Sequence, residues 1–163
     1  MKRIKKILLT LFVVAFVLSL GSCPDGSGGG NDLWDLYLRS LTSGEPSNTA
    51  KIQVGLNGKD LSGIRAVSGY RGWEYYSDTY NGDYELTMIW TNQTMAGYNI
   101  IKSQLETILG VTFSIYLDPP SYLWEDASYG SGNYECNLVF TKTEVDLGSY
   151  KEPAGVIELY FRN

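Results

Sequence analysis

The spacing of hydrophobic positions changes several times along this chain, and each change marks an element. From Ile7 to Leu20 the run is apolar apart from Thr10 and Ser19, and it has no period. The stretch after Cys23, "PDGSGGGND", holds nothing that could be buried. In "NDLWDLYLRSL" the residues Leu33, Trp34, Tyr37, Leu38 and Leu41 fall at the spacing of one helix face, with Asn31 as an N-cap, so a short helix is expected. "KIQVGL" alternates Ile52, Val54 and Leu56 with Lys51, Gln53 and Gly55 and predicts a half-buried strand.

The segment "WEYYSDTYNGDYELTMIW" has arms rich in tyrosine, threonine and tryptophan around Asn81 and Gly82, a dipeptide suited to a two-residue hairpin turn. That turn sets Trp73 opposite Trp90, Tyr75 opposite Met88, Ser77 opposite Leu86 and Thr79 opposite Tyr84. It gathers the bulky residues on one face and places Asp78 against Glu85, a like-charge pair. In "TNQTMAGYNIIKSQLETILG" Tyr98, Ile101, Leu105, Ile108 and Leu109 recur at threes and fours before Gly110, which predicts the principal helix over about 94–109. "VTFSIYLD" turns Val111, Phe113, Ile115 and Leu117 inward and is stopped by Pro119 and Pro120. "YECNLVFTK" and "GVIELYFRN" complete the pattern, the latter with Ile157, Leu159 and Phe161 on one face. Cys136 alternates with Tyr134, Leu138 and Phe140, so it reads as a buried structural thiol.

Strands with one apolar face belong to an antiparallel sheet covered on one side. The fold class expected is α+β: a mostly antiparallel sheet of about six or seven strands packed on one face by the 94–109 helix, together with a short N-terminal helix. A small closed β-barrel with a helix is the alternative arrangement. A transmembrane barrel fits poorly with an amphipathic helix in mid-chain. No repeat of fixed period is present.

The start of the chain carries Lys2, Arg3, Lys5 and Lys6 ahead of the apolar run, the order of an export signal. The run is shorter than the ~20 residues a membrane span needs. It ends in Leu20, Gly21, Ser22 and Cys23, which resembles the lipobox of bacterial lipoproteins. The resemblance implies a signal peptide at 1–22, removal of that signal, and a diacylglycerol on the Cys23 thiol as the attachment to membrane. The organisation expected is then a flexible lipid-anchored tether at 23–31 and one globular domain at 32–163. The location expected is the bacterial cell envelope, outside the cytoplasm; the choice between inner and outer membrane stays open.

Loss of the first 22 residues removes four of the 13 basic residues and none of the 18 acidic ones, leaving a formal charge of −9. That balance argues against nucleic acid as a partner. With Cys23 acylated, Cys136 has no partner in the chain and no disulfide framework exists.

There is no histidine, which removes serine–histidine and cysteine–histidine catalysis and ordinary zinc sites. No serine precedes a lysine by three positions, and Ser131 between Gly130 and Gly132 lacks the surroundings of a hydrolase elbow. Counted from Asp78, the third and fifth places of a calcium loop are Tyr80 and Gly82, which supply no suitable side-chain donors. No catalytic residue, metal ligand or cofactor is assigned. Carboxylates are the acid/base groups left, with Asp78 and Glu85 or Glu125 and Asp126 as pairs on paper.

Tyrosine is abundant, with 13 residues beside 4 tryptophans. Many fall in "DPPSYLWEDASYGSGNYE" (118–135), which shows little regular pattern and reads as a long recognition loop. Tyr122, Trp124 and Tyr129 from this segment, with Tyr76 and Tyr80 from the hairpin, are the candidate ligand-binding residues. The function expected is a non-enzymatic binding or assembly module for an extracytoplasmic protein or glycan. A carboxylate-dependent glycan hydrolase and a purely structural envelope component are the alternatives.

Overall fold

A computed structural model describes residues 31–116, 121–148 and 150–163. The residues expected to form a signal and lipobox, Cys23 included, and the expected tether as far as residue 30 lie outside the described residues, while Asn31 opens a helix. The elements are α1 (Asn31–Ser40), α2 (Asn48–Gln53), α3 (Ser62–Arg65), β1 (Tyr70–Asp78), β2 (Asp83–Trp90), α4 (Met95–Leu109), β3 (Ser114–Tyr116), β4 (Tyr122–Tyr129), β5 (Tyr134–Thr141), β6 (Val145–Asp146), β7 (Lys151–Glu152) and β8 (Val156–Arg162). Six strands form one open antiparallel sheet in the order β1-β2-β8-β5-β4-β3, and β6 pairs with β7 in a separate ribbon. The architecture is α+β, and the sheet does not close into a barrel.

Strand alternation sorts the sheet into two faces. Leu86, Met88 and Trp90 of β2, Cys136, Leu138 and Phe140 of β5, and Ile157, Leu159 and Phe161 of β8 point to one side. There α4 lays down Tyr98, Ile101, Leu105 and Leu109, spaced so that one helical stripe meets the sheet. Thr94 caps the start of α4 by accepting from the Gly97 amide, and Gly110 ends it in the left-handed conformation. The Cys136 thiol is fully buried on this face, and burial pushes it well above its ordinary range, as befits an inert structural residue.

The opposite face is covered over part of its area by α1 and the β6–β7 ribbon. Trp34, Tyr37 and Leu38 of α1, with Leu41 just after it, pack with Ile89, Val156 and Tyr150. The sheet is therefore covered on both sides, not on one.

Four local readings are corrected. "KIQVGL" is not a strand: α2 begins after Ser47, whose hydroxyl accepts from the Ala50 amide at 3.2 Å. Val54 and Leu56 are still buried, but Ile52 faces solvent. The turn out of α2 needs Gly55, which has φ 76° and whose missing Cβ would lie 2.7 Å from the Tyr134 ring.

The hairpin forms, with a register two residues away from the expected one: Trp73 faces Met88, Tyr75 faces Leu86 and Asp78 faces Asp83. The loop is four residues, 79–82, and Gly82 at φ 73° is the residue in it with positive φ. Asp78 accepts from the Tyr80 and Asn81 amides and from Asn81 Nδ2, and this makes the longer loop the better solution. A shift of two leaves every side chain on its expected face. Asp78 does not oppose Glu85, whose partners are Arg162 and Thr87.

The "loop" at 118–135 contains β4, fully paired with β5 from Tyr122–Thr141 to Tyr129–Tyr134. Finally, Ile115 has the inward parity expected of it, yet β3 is an edge strand beyond the reach of α4, and Ile115 is 62% exposed.

Candidate functional site

The face of the sheet away from α4 carries the ionisable chemistry. Period-two alternation brings Glu74 of β1, Glu85 of β2 and Glu158 of β8 to that side, and the chain after β5 folds back so that β7 adds Glu152 from above. Each acid meets a hydroxyl or a cation. Tyr37 of α1 donates to Glu74 Oε1 at 2.8 Å. Tyr160 donates to Glu158. Thr141 donates to Glu152 Oε1, and Tyr122 donates to Glu152 Oε2 at 3.4 Å. Arg162 pairs with Glu85 and lies 5.3 Å from the Tyr160 ring.

Burial dominates the electrostatics. Desolvation raises the Glu74 carboxyl above its ordinary value and the Glu158 and Glu85 charges add to this, against the Tyr37 hydrogen bond. Glu152 is pushed up to about 8 by desolvation and then by Glu158, while the Thr141 and Tyr122 hydroxyls pull the other way. The phenols of Tyr37, Tyr122, Tyr150 and Tyr160 are raised first by burial and then by the surrounding carboxylates. Glu152 is thereby disposed to keep its proton at neutral pH. Glu152 is 3% exposed, so its proton is enclosed beneath the ribbon rather than offered to solvent.

The five candidate aromatics do not form one site. Tyr129 belongs to the opposite face: it is buried, donates to the Val54 carbonyl, stacks on Tyr134 at 5.8 Å and meets the edge of Phe161. It is a core residue and offers no binding surface. Tyr122 is half-buried and engaged with Glu152. Tyr76 is on the polar face at β1, and Tyr80 is at the hairpin tip, 96% exposed. Trp124 is half-buried on the polar face directly opposite Tyr116, which is 54% exposed. Four strand spacings separate Tyr76 from Trp124, roughly 19 Å.

Sequence reasoning missed Tyr116 and Ile115 as surface residues, and of the glutamate set it singled out Glu85 alone. Tyr116 was legible as an outward residue of its strand. Glu74, Glu85 and Glu158 share a face by strand alternation, but Glu152 was not legible, because nothing local predicts that β7 returns over β4 and β5.

The paper pair Glu125 and Asp126 is split by the pleat. Glu125 is buried on the α4 side in an ion pair with Lys102, and Asp126 points the other way. Among the described residues no group of three or more acidic or thiol ligands could hold a metal ion, and no helix is long and apolar enough to cross a membrane. No protein-family model matches the chain, nor does any curated protein or any solved structure.

Proposed function

We propose that this chain is a lipid-anchored bacterial envelope protein whose folded domain is a non-enzymatic binding or assembly module. The observation that carries the reading is the succession of Lys2 to Lys6, the apolar run to Leu20, and Gly21, Ser22 and Cys23. Acylation at Cys23 followed by a glycine- and serine-rich tether places a folded domain a short, flexible distance from the bilayer.

The binding half of the reading rests on the β3–β4 margin of the polar face. Tyr116 and Trp124 stand side by side there, next to Asp126 and Ser114 in the adjacent cross-strand pair. Tyrosine and tryptophan supply rigid contact area at low entropic cost, which suits an extracytoplasmic protein or a glycan. In protein recovered from cell membranes, mass spectrometry of the N-terminal peptide should find an acylated Cys23, and Cys23→Ser should leave the membrane fraction. An intact Met1 or a bare Cys23 thiol removes the placement. A pull-down from envelope extracts that is identical for wild type and for Tyr116→Ala with Trp124→Ala removes the surface.

A second reading, a carboxylate-dependent glycan hydrolase, is favoured by one observation: Glu152 is raised to about 8 by burial and by the nearby Glu158 charge, as a general acid would be. It requires the ribbon to lift. Peptidoglycan fragments incubated with the protein should then gain reducing ends, with loss in Glu158→Gln; no gain disposes of it.

A further inference from the structure

The β6–β7 ribbon is too small to hold itself. It has two residues in each strand, closed by Leu147 N–H donating to the Tyr150 carbonyl at 3.0 Å and by Gly148 N–H donating to Asp146 Oδ1 at 2.8 Å. Hairpins of this size do not persist in water unless they pack on something. This one is fastened at two points. Tyr150 stacks on Trp34 of α1, ring centroids 5.9 Å apart, within the small cluster of Ile89 and Val156. Two residues on, Glu152 enters the polar face and takes hydrogen bonds from Thr141 of β5 and Tyr122 of β4.

Among the described residues the second fastening has no counter-charge. Glu158 of β8 acts on Glu152 as a like charge, and Tyr122 of β4 offers only a hydroxyl. Tyr150 lies on the same ribbon, while Tyr37 of α1 is engaged with Glu74 of β1. The neighbouring Lys151 turns outward to Glu144 at 3.3 Å, and Arg162 of β8 is paired with Glu85 of β2.

We propose that the β6–β7 ribbon is a pH-released strap: a neutral Glu152 holds it on the sheet, and ionisation of Glu152 lets it go, uncovering Tyr122 and the cluster of Trp34, Ile89 and Val156. An ionised Glu152 in the closed strap would be a buried anion facing Glu158, whereas in the open strap water solvates it. The closed form therefore holds its proton up to about 8, against an ordinary glutamate value of 4.5. Between those limits the open form has lost the proton that the closed form retains, so opening is favoured about tenfold by each pH unit of increase. Below that window, and above it, opening does not depend on pH. The strap is tightest in acid and loosens as pH rises toward 8, independently of any partner for the Tyr116–Trp124 margin.

The test is hydrogen exchange by mass spectrometry on the full chain in detergent, from pH 5 to 9, with each rate divided by the intrinsic rate at that pH. The protection of amides in 145–152 should fall about tenfold per unit up to pH 8 and then level, while β5 and β8 amides stay constant. Glu152→Gln should keep the low-pH protection throughout. Glu158→Gln, which removes the facing charge, should bring the levelling-off to lower pH and so serves if the first variant disturbs the ribbon. Protection that does not vary with pH in the wild type, or a wild-type slope in Glu152→Gln, overturns the proposal.

Discussion

The two faces of one sheet are held by different physics. Toward α4, buried Leu86, Met88, Leu138, Leu159 and Phe161 meet a helix stripe with few polar atoms, and the stabilisation is non-directional and indifferent to pH. Toward α1 and the ribbon, apolar contact is confined to the small cluster of Trp34, Ile89 and Val156, and the rest of the covered area is matched through hydroxyl-to-carboxylate contacts. Glu158 shows the contrast in a single strand: it stands between Ile89 and Val139 in the cross-strand register, while the residues on either side of it in sequence, Ile157 and Leu159, point into the apolar core. The covering elements of the second face thus depend on protonation states that the first face does not sense.

If that division is right, the largest loss of stability should come from the apolar side. Phe161→Ala removes a fully buried ring that touches Tyr129 edge-on, and should cost about 3–5 kcal/mol in chemical denaturation, equally at pH 5 and pH 8. A loss below 1 kcal/mol would mean that the core is not where stability resides.

The apolar face has one exception that sharpens the comparison, the buried Glu125 paired with Lys102 of α4. Lys102→Met strands a carboxylate beneath the helix and should cost about 3 kcal/mol, the low end for such breaks because Lys102 keeps 20% of its side chain in solvent. Lys102→Met with Glu125→Leu should recover most of that loss, since an apolar pair fits an apolar surface. A double variant as unstable as the single would show that the pair is needed for more than mutual neutralisation.

The same ion pair explains part of what the sequence conceals. The inward positions of β4 are Leu123, Glu125, Ala127 and Tyr129, a charge and a small residue among two large ones, so the alternation is masked and the strand reads as a loop. Its compensation comes from α4, some twenty residues earlier, and no local pattern contains it. By contrast α4, β5 and β8 have uninterrupted apolar faces and are legible directly, and α1 follows from its helical spacing. α2 was misread because Ile52, Val54 and Leu56 alternate, although Ser47 followed by Ala50 and Lys51 carries the capping signal that decides it. Of the candidate site, the aromatics were visible one by one, but their sorting between faces depends on β4 being a strand, and the addition of Glu152 to the other acids depends on a fold-back of β7.

On the polar face smaller effects are expected, and they should vary with pH. Tyr37→Phe deletes the donor to Glu74 without changing shape, and should cost about 1 kcal/mol where Glu74 is ionised. The carboxyl is raised by burial, and the Tyr37 bond opposes that rise. Stability held through Glu74 is therefore greatest in acid and declines as pH climbs from the ordinary carboxylate range to its raised value. Without the bond the decline continues to higher pH, so the variant should lose more relative to wild type at pH 8 than at pH 4. An identical loss at both would assign the effect to packing alone.

The smallest effect should come from Tyr80, which belongs to neither face. It sits at the tip of the β1–β2 hairpin, 96% exposed, in a loop closed by Gly82 N–H donating to the Asp78 carbonyl and by the Asp78 side chain. Its backbone amide serves that loop and its ring touches little, so Tyr80→Ser should move the denaturation midpoint by less than about 0.5 kcal/mol. A stability loss near that of Tyr37→Phe would mean that the hairpin tip folds over one of the faces. With stability unchanged, any fall in envelope-extract binding by Tyr80→Ser would mark the tip as a contact surface, roughly 19 Å or more from the Tyr116–Trp124 margin across the sheet, and the division of labour between faces would need a third member.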